Sequence, residues 1–229
     1  MCGRFSLTTN LTTVGQRFGV PIPTGESAAW SPHYNIAPTK TVVVIGDDGS
    51  RYLTQMRWGL IPSWAKDPAI GNRMINARAE TVATKPAFRA ALRKRRCLVI
   101  ADGFYEWQQR GRGKQPFRIA LKRGEPFGFA GLWETWTAPD GEAIRTCTII
   151  TTDANKLLKP IHDRMTVILT REAEGIWLNP SITEPSVLAP LLTPYPAEEM
   201  EYYAVSTWVN DPAHDSPECA EPVLHDGST

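Results

Sequence analysis

Four side chains in this sequence are suited to carry a reaction: Cys2, Asn76, Glu106 and His162. Cys2 follows Met1, and its small side chain makes Met1 a substrate for aminopeptidase removal. The processed chain then begins with an α-amine and a thiol on adjacent carbons. Their reference pKa values are about 7.7–8.0 and about 8.5, so each is partly nucleophilic near neutral pH. Such a 1,2-aminothiol condenses with an aldehyde through its amine and closes a five-membered thiazolidine through its sulfur. Taken alone, Cys2 also fits an ordinary residue at a frayed terminus. Glu106 interrupts the aromatic run Phe104, Tyr105, Trp107. Poor solvation there would raise its pKa and make it a usable general acid; on a strand edge it would simply point outward. His162, between Ile161 and Asp163, is by type a proton shuttle or a satisfied structural histidine. Asn76 can orient a substrate oxygen or cap a helix at Ala77.

These residues need elements to position them. Leu11, Val14 and Phe18 predict a short helix capped by Thr8, Thr9 or Asn10. The β-branched run at 41–45 and the segment 51–58 predict a hairpin about the turn at 47–50. The stretch 59–64, with Pro62, breaks regular structure. Asn76 falls in 75–81, read as a loop entering a short helix, and a second helix is expected from Pro86 to the basic run 93–96. Glu106 follows an apolar strand at 97–101. Further strands are expected near 117–121, 127–133, 146–152, 166–169 and 200–209, with helices at 171–178 and 186–192. The whole reads as an α+β fold: one domain over 1–209, with a curled, mostly antiparallel, barrel-like sheet and flanking helices, then a loose tail over 210–229.

Composition narrows the class. No apolar run approaches the roughly 18 residues of a membrane span. Neither a signal peptide nor a transit character is visible at the start, so a cytoplasmic protein (nuclear, if eukaryotic) is expected. Cys2, Cys97, Cys147 and Cys219 are scattered without a CxxC, which argues against a metal site and against a disulfide framework. The net charge of +1 hides an asymmetry: up to Arg171 there are 25 Lys and Arg against 13 acids, and beyond it 11 acids and no Lys or Arg. Such a chain can fold its acidic end onto its basic surface, or present a basic face to a polyanion.

Several motifs together resemble the SRAP (SOS response-associated peptidase) family of abasic-site processing proteins. They are MCGRF at 1–5, YNIAPT at 34–39, WGLIPSW at 58–64, INARAET at 75–81, RRCLVIADGFYEW at 95–107 and IHDRM at 161–165. The resemblance spans 1 to about 209. It implies covalent trapping of abasic sites in single-stranded DNA, by a monomer with no cofactor. The Cys2 amine would form a Schiff base and the Cys2 thiol would close a thiazolidine. Glu106 would assist sugar ring opening, His162 would aid both formation and reversal, and Asn76 would hold the sugar and Cys2. Arg4, Arg78 and Arg164 match phosphate-contacting positions, Trp107 and Thr151 further contacts, and Pro38 with Trp64 a wedge against a second strand. Where some relatives carry a basic residue, this chain has Pro86 beside Lys85. Two other readings stand beside this one. An N-terminal-nucleophile hydrolase would use the Cys2 thiol against an amide, with no need for the arginines. A plain single-strand-binding protein would need the Arg and Trp residues and be indifferent to Cys2.

Overall fold

Five long strands close on themselves in the computed structural model, which describes residues 2–22 and 30–223. They are β3 (Thr41–Asp47), β4 (Arg51–Trp58), β6 (Arg96–Ala101), β9 (Phe127–Thr137) and β10 (Ala143–Asp153). Antiparallel pairings run β4–β3–β6–β9–β10, and a parallel pairing of β10 with β4 completes the barrel. Closure leaves these strands without the free edges that an open sheet exposes. Two short strands extend the rim along β10: β5 (Asn76–Arg78), parallel to it, and β11 (Arg164–Thr166), antiparallel. A second sheet of five strands has the order β12 (Met200–Ala204), β8 (Gly113–Leu121), β7 (Gly103–Arg110), β1 (Phe5–Leu7) and β2 (His33–Ile36). The α+β, barrel-like, mostly antiparallel fold expected from the sequence is what the chain adopts.

Two devices fasten β1, and with it the chain start. Phe5 enters the barrel, edge-on to Trp58 at 5.1 Å and Phe129 at 5.8 Å between ring centroids; such aromatic pairs add to simple burial. Behind it, the Asp102 carboxylate accepts bonds from the Ser6 hydroxyl (2.8 Å), the Thr8 N–H (2.6 Å) and the Thr9 N–H (2.9 Å), with Arg118 at 3.3 Å. Burial alone would raise that carboxyl's pKa, but the bonds from Ser6 and Thr8 and the Arg118 charge hold it below its ordinary value.

The helices are short, and two of them carry side-chain N-caps. In α1 (Leu11–Phe18) Asn10 accepts from the Thr13 N–H, and Gly19 ends the helix at φ 64. In α3 (Arg171–Leu178) Thr170 accepts from the Ala173 N–H. Six expectations differ. The strand expected at 166–169 is β11, Arg164–Thr166, and the strand expected at 200–209 ends at Ala204 before a 3-10 turn over Thr207–Asn210. Residues 75–81 form the strand β5 and a turn, because their backbone finds partners along β10. The helix expected from Pro86 is α2 (Arg89–Lys94), three residues later. The helix expected at 186–192 is a single turn, α4 (Pro185–Leu188), continued as a 3-10 turn. The segment from Asn210, expected as a loose tail, lies against β2 as far as it is described. Asp215 accepts from the Tyr34 and Asn35 N–H groups, Asn35 donates to the carbonyls of Val209, Asp211 and His214, and Cys219 is fully buried. A polar composition therefore hid a set of specific backbone partners. Residues 224–229 of that segment lie outside the described residues.

Candidate functional site at the chain start

Beyond the last β1–β7 pair the Tyr105 N–H donates to the Arg4 carbonyl at 3.0 Å, so the chain follows β7 back as far as Arg4. Cys2, two residues further back, lies close enough to Glu106 for that carboxylate's charge to act on its thiol. On its other side the Asn76 Nδ2 donates to the Cys2 carbonyl at 2.7 Å. Asn76 is presented by β5, which the chain reaches after the excursion 59–75. That excursion is pinned where Gly59, at φ 128, faces Gly71 so closely that a Cβ on either would meet the other's carbonyl oxygen below 3 Å. The GLIPSW motif thus uses its glycine to return the chain to β10, and the return places Asn76.

Cys2 is fully buried, and Glu106 is 3% exposed. Burial first, and the Glu106 carboxylate second, push the Cys2 thiol well above its usual pKa. Burial raises Glu106 to about 7. Glu106 therefore does not sit on a solvated strand edge. It is a carboxyl poised to give or take a proton at neutral pH. The Asn76 Oδ1 is buried with no hydrogen-bond partner among the described residues, a state that invites a donor. His162 precedes β11 and accepts the Arg164 N–H on Nδ1 at 2.9 Å. Burial lowers its pKa, so the neutral ring carries its proton on Nε2.

Beside Asn76 opens a cavity of about 430 Å³ lined by Trp64, Arg73, Arg78, Lys85, Pro86 and Phe88, among others. Trp64 is 61% exposed, and among the described residues Arg78 makes no side-chain hydrogen bond or ion pair. Lys85 lies in this wall next to Pro86, so a cation is present where the sequence has proline. Pro38 does not line the cavity. It opens the β2–β3 turn, whose Thr39 is held at φ 72, a backbone state that β-branched residues rarely adopt.

The other arginines are already engaged. Arg4 donates to Asn35 Oδ1 (2.9 Å) and to the carbonyls of Val209 (3.0 Å) and Asn210 (3.3 Å), and lies 5.9 Å from the centroid of the Trp107 ring. Trp107 in turn donates to Asn210 Oδ1 at 2.7 Å. Arg164 is clamped by Glu80 (2.6 Å), Asp153 (2.8 Å) and the Thr151 carbonyl (2.8 Å). The Thr151 side chain is buried between β5 and β11, its hydroxyl 3.4 Å from the Ala77 carbonyl. Arg73, Glu80, Asp153 and Asn35 were not singled out in the sequence. Glu80 and Asn35 lie inside the INARAET and YNIAPT motifs, which was the available signal. Arg73 and Asp153 acquire meaning only through contacts distant in the chain.

The closed barrel, the appended sheet and a chain start buried between a carboxyl and an amide define a barrel-based α+β protein with a candidate site at the N-terminus. The SOS response associated peptidase (SRAP) family matches over residues 1–212, and the chain belongs to it. It is 50% identical over 225 residues to the Bacillus subtilis abasic site processing protein YoqW, covering 96% of this chain and 99% of that one. To the Gallus gallus abasic site processing protein HMCES it is 36% identical over 227 residues, covering 85% of this chain and 67% of the relative. A crystal structure of a Bacteroides thetaiotaomicron protein matches with a TM-score of 0.89 at 31% identity, over 97% of this chain and all of that one. Among the described residues no helix is long and apolar enough to cross a membrane.

Proposed function

We propose that this protein traps abasic sites in single-stranded DNA as a thiazolidine on Cys2, once Met1 has been removed. The observation that carries the reading is the pairing of Cys2 with a buried Glu106 of pKa about 7. Most abasic sugar is a closed hemiacetal. Glu106 in its acid form gives a proton to the ring oxygen as the anomeric hydroxyl loses one, freeing the aldehyde. The Cys2 amine adds to that carbon, and loss of water leaves an imine. The thiol then adds to the imine carbon and its proton passes to the nitrogen, so the net reaction releases one water. A buried, protonated thiol suits this order, since the amine makes the first attack. It suits an amide-cleaving thiolate poorly, which disfavours the hydrolase reading. The Asn76 Oδ1, without a hydrogen-bond partner among the described residues, would accept from the Cys2 amine or a sugar hydroxyl. His162 moves protons through Nε2 in formation and reversal.

The cavity beside Asn76 offers a stacking surface in Trp64 and, in Arg73, Arg78 and Lys85, cations that form no ion pair among the described residues, the combination that unpaired strands favour. Trp64 and Pro38 would exclude a second strand, Trp107 and Thr151 would make further contacts, and Arg4 and Arg164 would add positive potential from within their bonded networks. A denaturing gel with an oligonucleotide bearing one abasic site tests the reading. The processed protein should form a heat-stable adduct, Cys2→Ser should not, and a chain retaining Met1 should not, because its Cys2 nitrogen is an amide. Normal crosslinking by the Met1-retaining chain would refute the thiazolidine.

A further inference from the structure

The chain start lies between two flanks, and only one holds the cavity just described. On the other side β7 runs on from Glu106 through Gln108 to Arg110, turns through Gly111 and Arg112, and returns as β8. Gly111 adopts φ 55 at the first of two loop positions, where a tight hairpin of this kind requires glycine. The tip carries Arg110, Arg112 and Lys114, all exposed. None of the three forms an ion pair among the described residues. Arg110 donates to Gln108 Oε1 at 2.7 Å and lies 5.5 Å from the centroid of the Phe117 ring.

The arm is anchored. Its register is unbroken from Phe104↔Ile119 to Arg110↔Gly113, and Gln108 Nε2 donates to the Pro160 carbonyl at 2.9 Å, two residues before His162. Burial lowers the His162 pKa, and the charge of Lys114 adds to that effect, which places the cation near the site. Three like charges around a two-residue turn repel one another unless a polyanion neutralises them.

We infer that the β7–β8 hairpin tip is a second phosphate-binding arm, with Arg110, Arg112 and Lys114 gripping the DNA strand on the flank of the lesion opposite Arg78. This rests on the proposed reading that single-stranded DNA presents the aldehyde. At about 3.3 Å per residue, Arg110 lies roughly 13 Å along the strand from Glu106, and Arg112 in the turn just beyond it, a reach of a few nucleotides.

The test replaces all three residues together, Arg110→Gln, Arg112→Gln and Lys114→Gln, and measures binding of an undamaged single-stranded oligonucleotide across a salt series by fluorescence anisotropy. Each lost contact should lower the slope of log affinity against log salt by about 0.7, so about 2 for the three. Should the triple variant melt early, Arg112→Gln alone at the turn apex should lower it by about 0.7. Adduct formation is then compared on oligonucleotides with the abasic site near the 5′ end, near the 3′ end or central. The variant should be impaired on the central substrate and on one end-placed substrate, and should match wild type on the other, which lacks the gripped flank. Wild-type salt slope in the variant overturns the arm, whether or not an adduct forms. Equal impairment on both end-placed substrates also overturns it, showing only diffuse attraction. Failure of the wild-type chain to form any adduct overturns the trapping reading instead, and the salt slope still judges the arm.

Discussion

Replacing Glu106 by Gln tests the proton chemistry and the burial argument in one variant. With a pKa of about 7, about half of the Glu106 carboxyls hold a proton at pH 7. A glutamate at the ordinary 4.5 would be protonated in about one molecule in 300, so burial multiplies the available acid by roughly two orders of magnitude. Positioned acid–base catalysis contributes ~10²–10⁴-fold, and E106Q should slow adduct formation on an abasic site by an amount in that range with little loss of DNA affinity. The gap should narrow on an oligonucleotide whose aldehyde lacks the hydroxyl that closes the ring. The same burial has a thermodynamic signature of definite sign. A carboxyl whose folded pKa is raised contributes its full stability below the unfolded value near 4.5 and loses it as pH rises through about 7. Between pH 5 and pH 8 wild type should therefore lose on the order of 2–3 kcal/mol relative to E106Q. Single-turnover rates on the two substrates and denaturant unfolding at the two pH values supply the data. Equal slowing on both substrates would refute the ring-opening role, and a stability difference that stays flat with pH would refute the raised pKa.

Other perturbations separate positioning from contact. Asp102→Asn should cost about 2–3 kcal/mol in equilibrium unfolding, because a buried carboxylate bonded to Ser6, Thr8 and Arg118 is lost; an unchanged midpoint would show that this cluster adds no net stability. Arg78→Ala should lower the salt slope of single-strand binding by about 0.7, whereas Arg164→Ala should change it less and reduce the melting temperature, since Glu80 and Asp153 already hold that guanidinium. Equal slopes for the two variants would contradict the distinction. His162→Ala should slow adduct formation less than E106Q does and should also retard reversal, measured as release of DNA from purified adduct; unaltered reversal would remove His162 from the proton path.

Much of this arrangement was legible in the sequence where local rules govern. The first helix was legible from Leu11, Val14 and Phe18, with Asn10 one of three cap candidates and the one used, and β3–β4 from a β-branched run and a following segment about a turn that holds Gly49 at φ 113; the caps Gly19 and Thr170 were not read. Glu106 was legible as a candidate because an acid interrupts an aromatic run, but the run itself left open whether it is buried or points outward from a strand edge. What stayed hidden depends on distant partners. Nothing in 75–81 reports that β10 will pair with it. The polar segment after Asn210 conceals the Asp215 bonds to β2. Arg4, Arg78 and Arg164 look alike in sequence, and only the fold shows two of them bonded internally and one open.

That contrast resolves the charge asymmetry, for which the sequence allowed two outcomes. Both occur, in different places. The acidic end folds onto part of the basic surface: Glu174 takes Arg17 at 2.9 Å, Glu199 takes Arg123 at 2.8 Å, and Asp215 takes His33. Along the margins of the Cys2 site the compensation stops. Arg73, Arg78 and Lys85 on one flank, and Arg110, Arg112 and Lys114 on the other, have no carboxylate partner among the described residues. An acidic segment that neutralised surface indiscriminately would have covered these first, since unpaired cations attract it most strongly. Instead Asp215 is held by two backbone N–H groups of β2, and Glu174 is buried in α3, both fixed by hydrogen bonds away from the site. The fold thus places its acids where packing dictates and leaves these cations without ion pairs among the described residues.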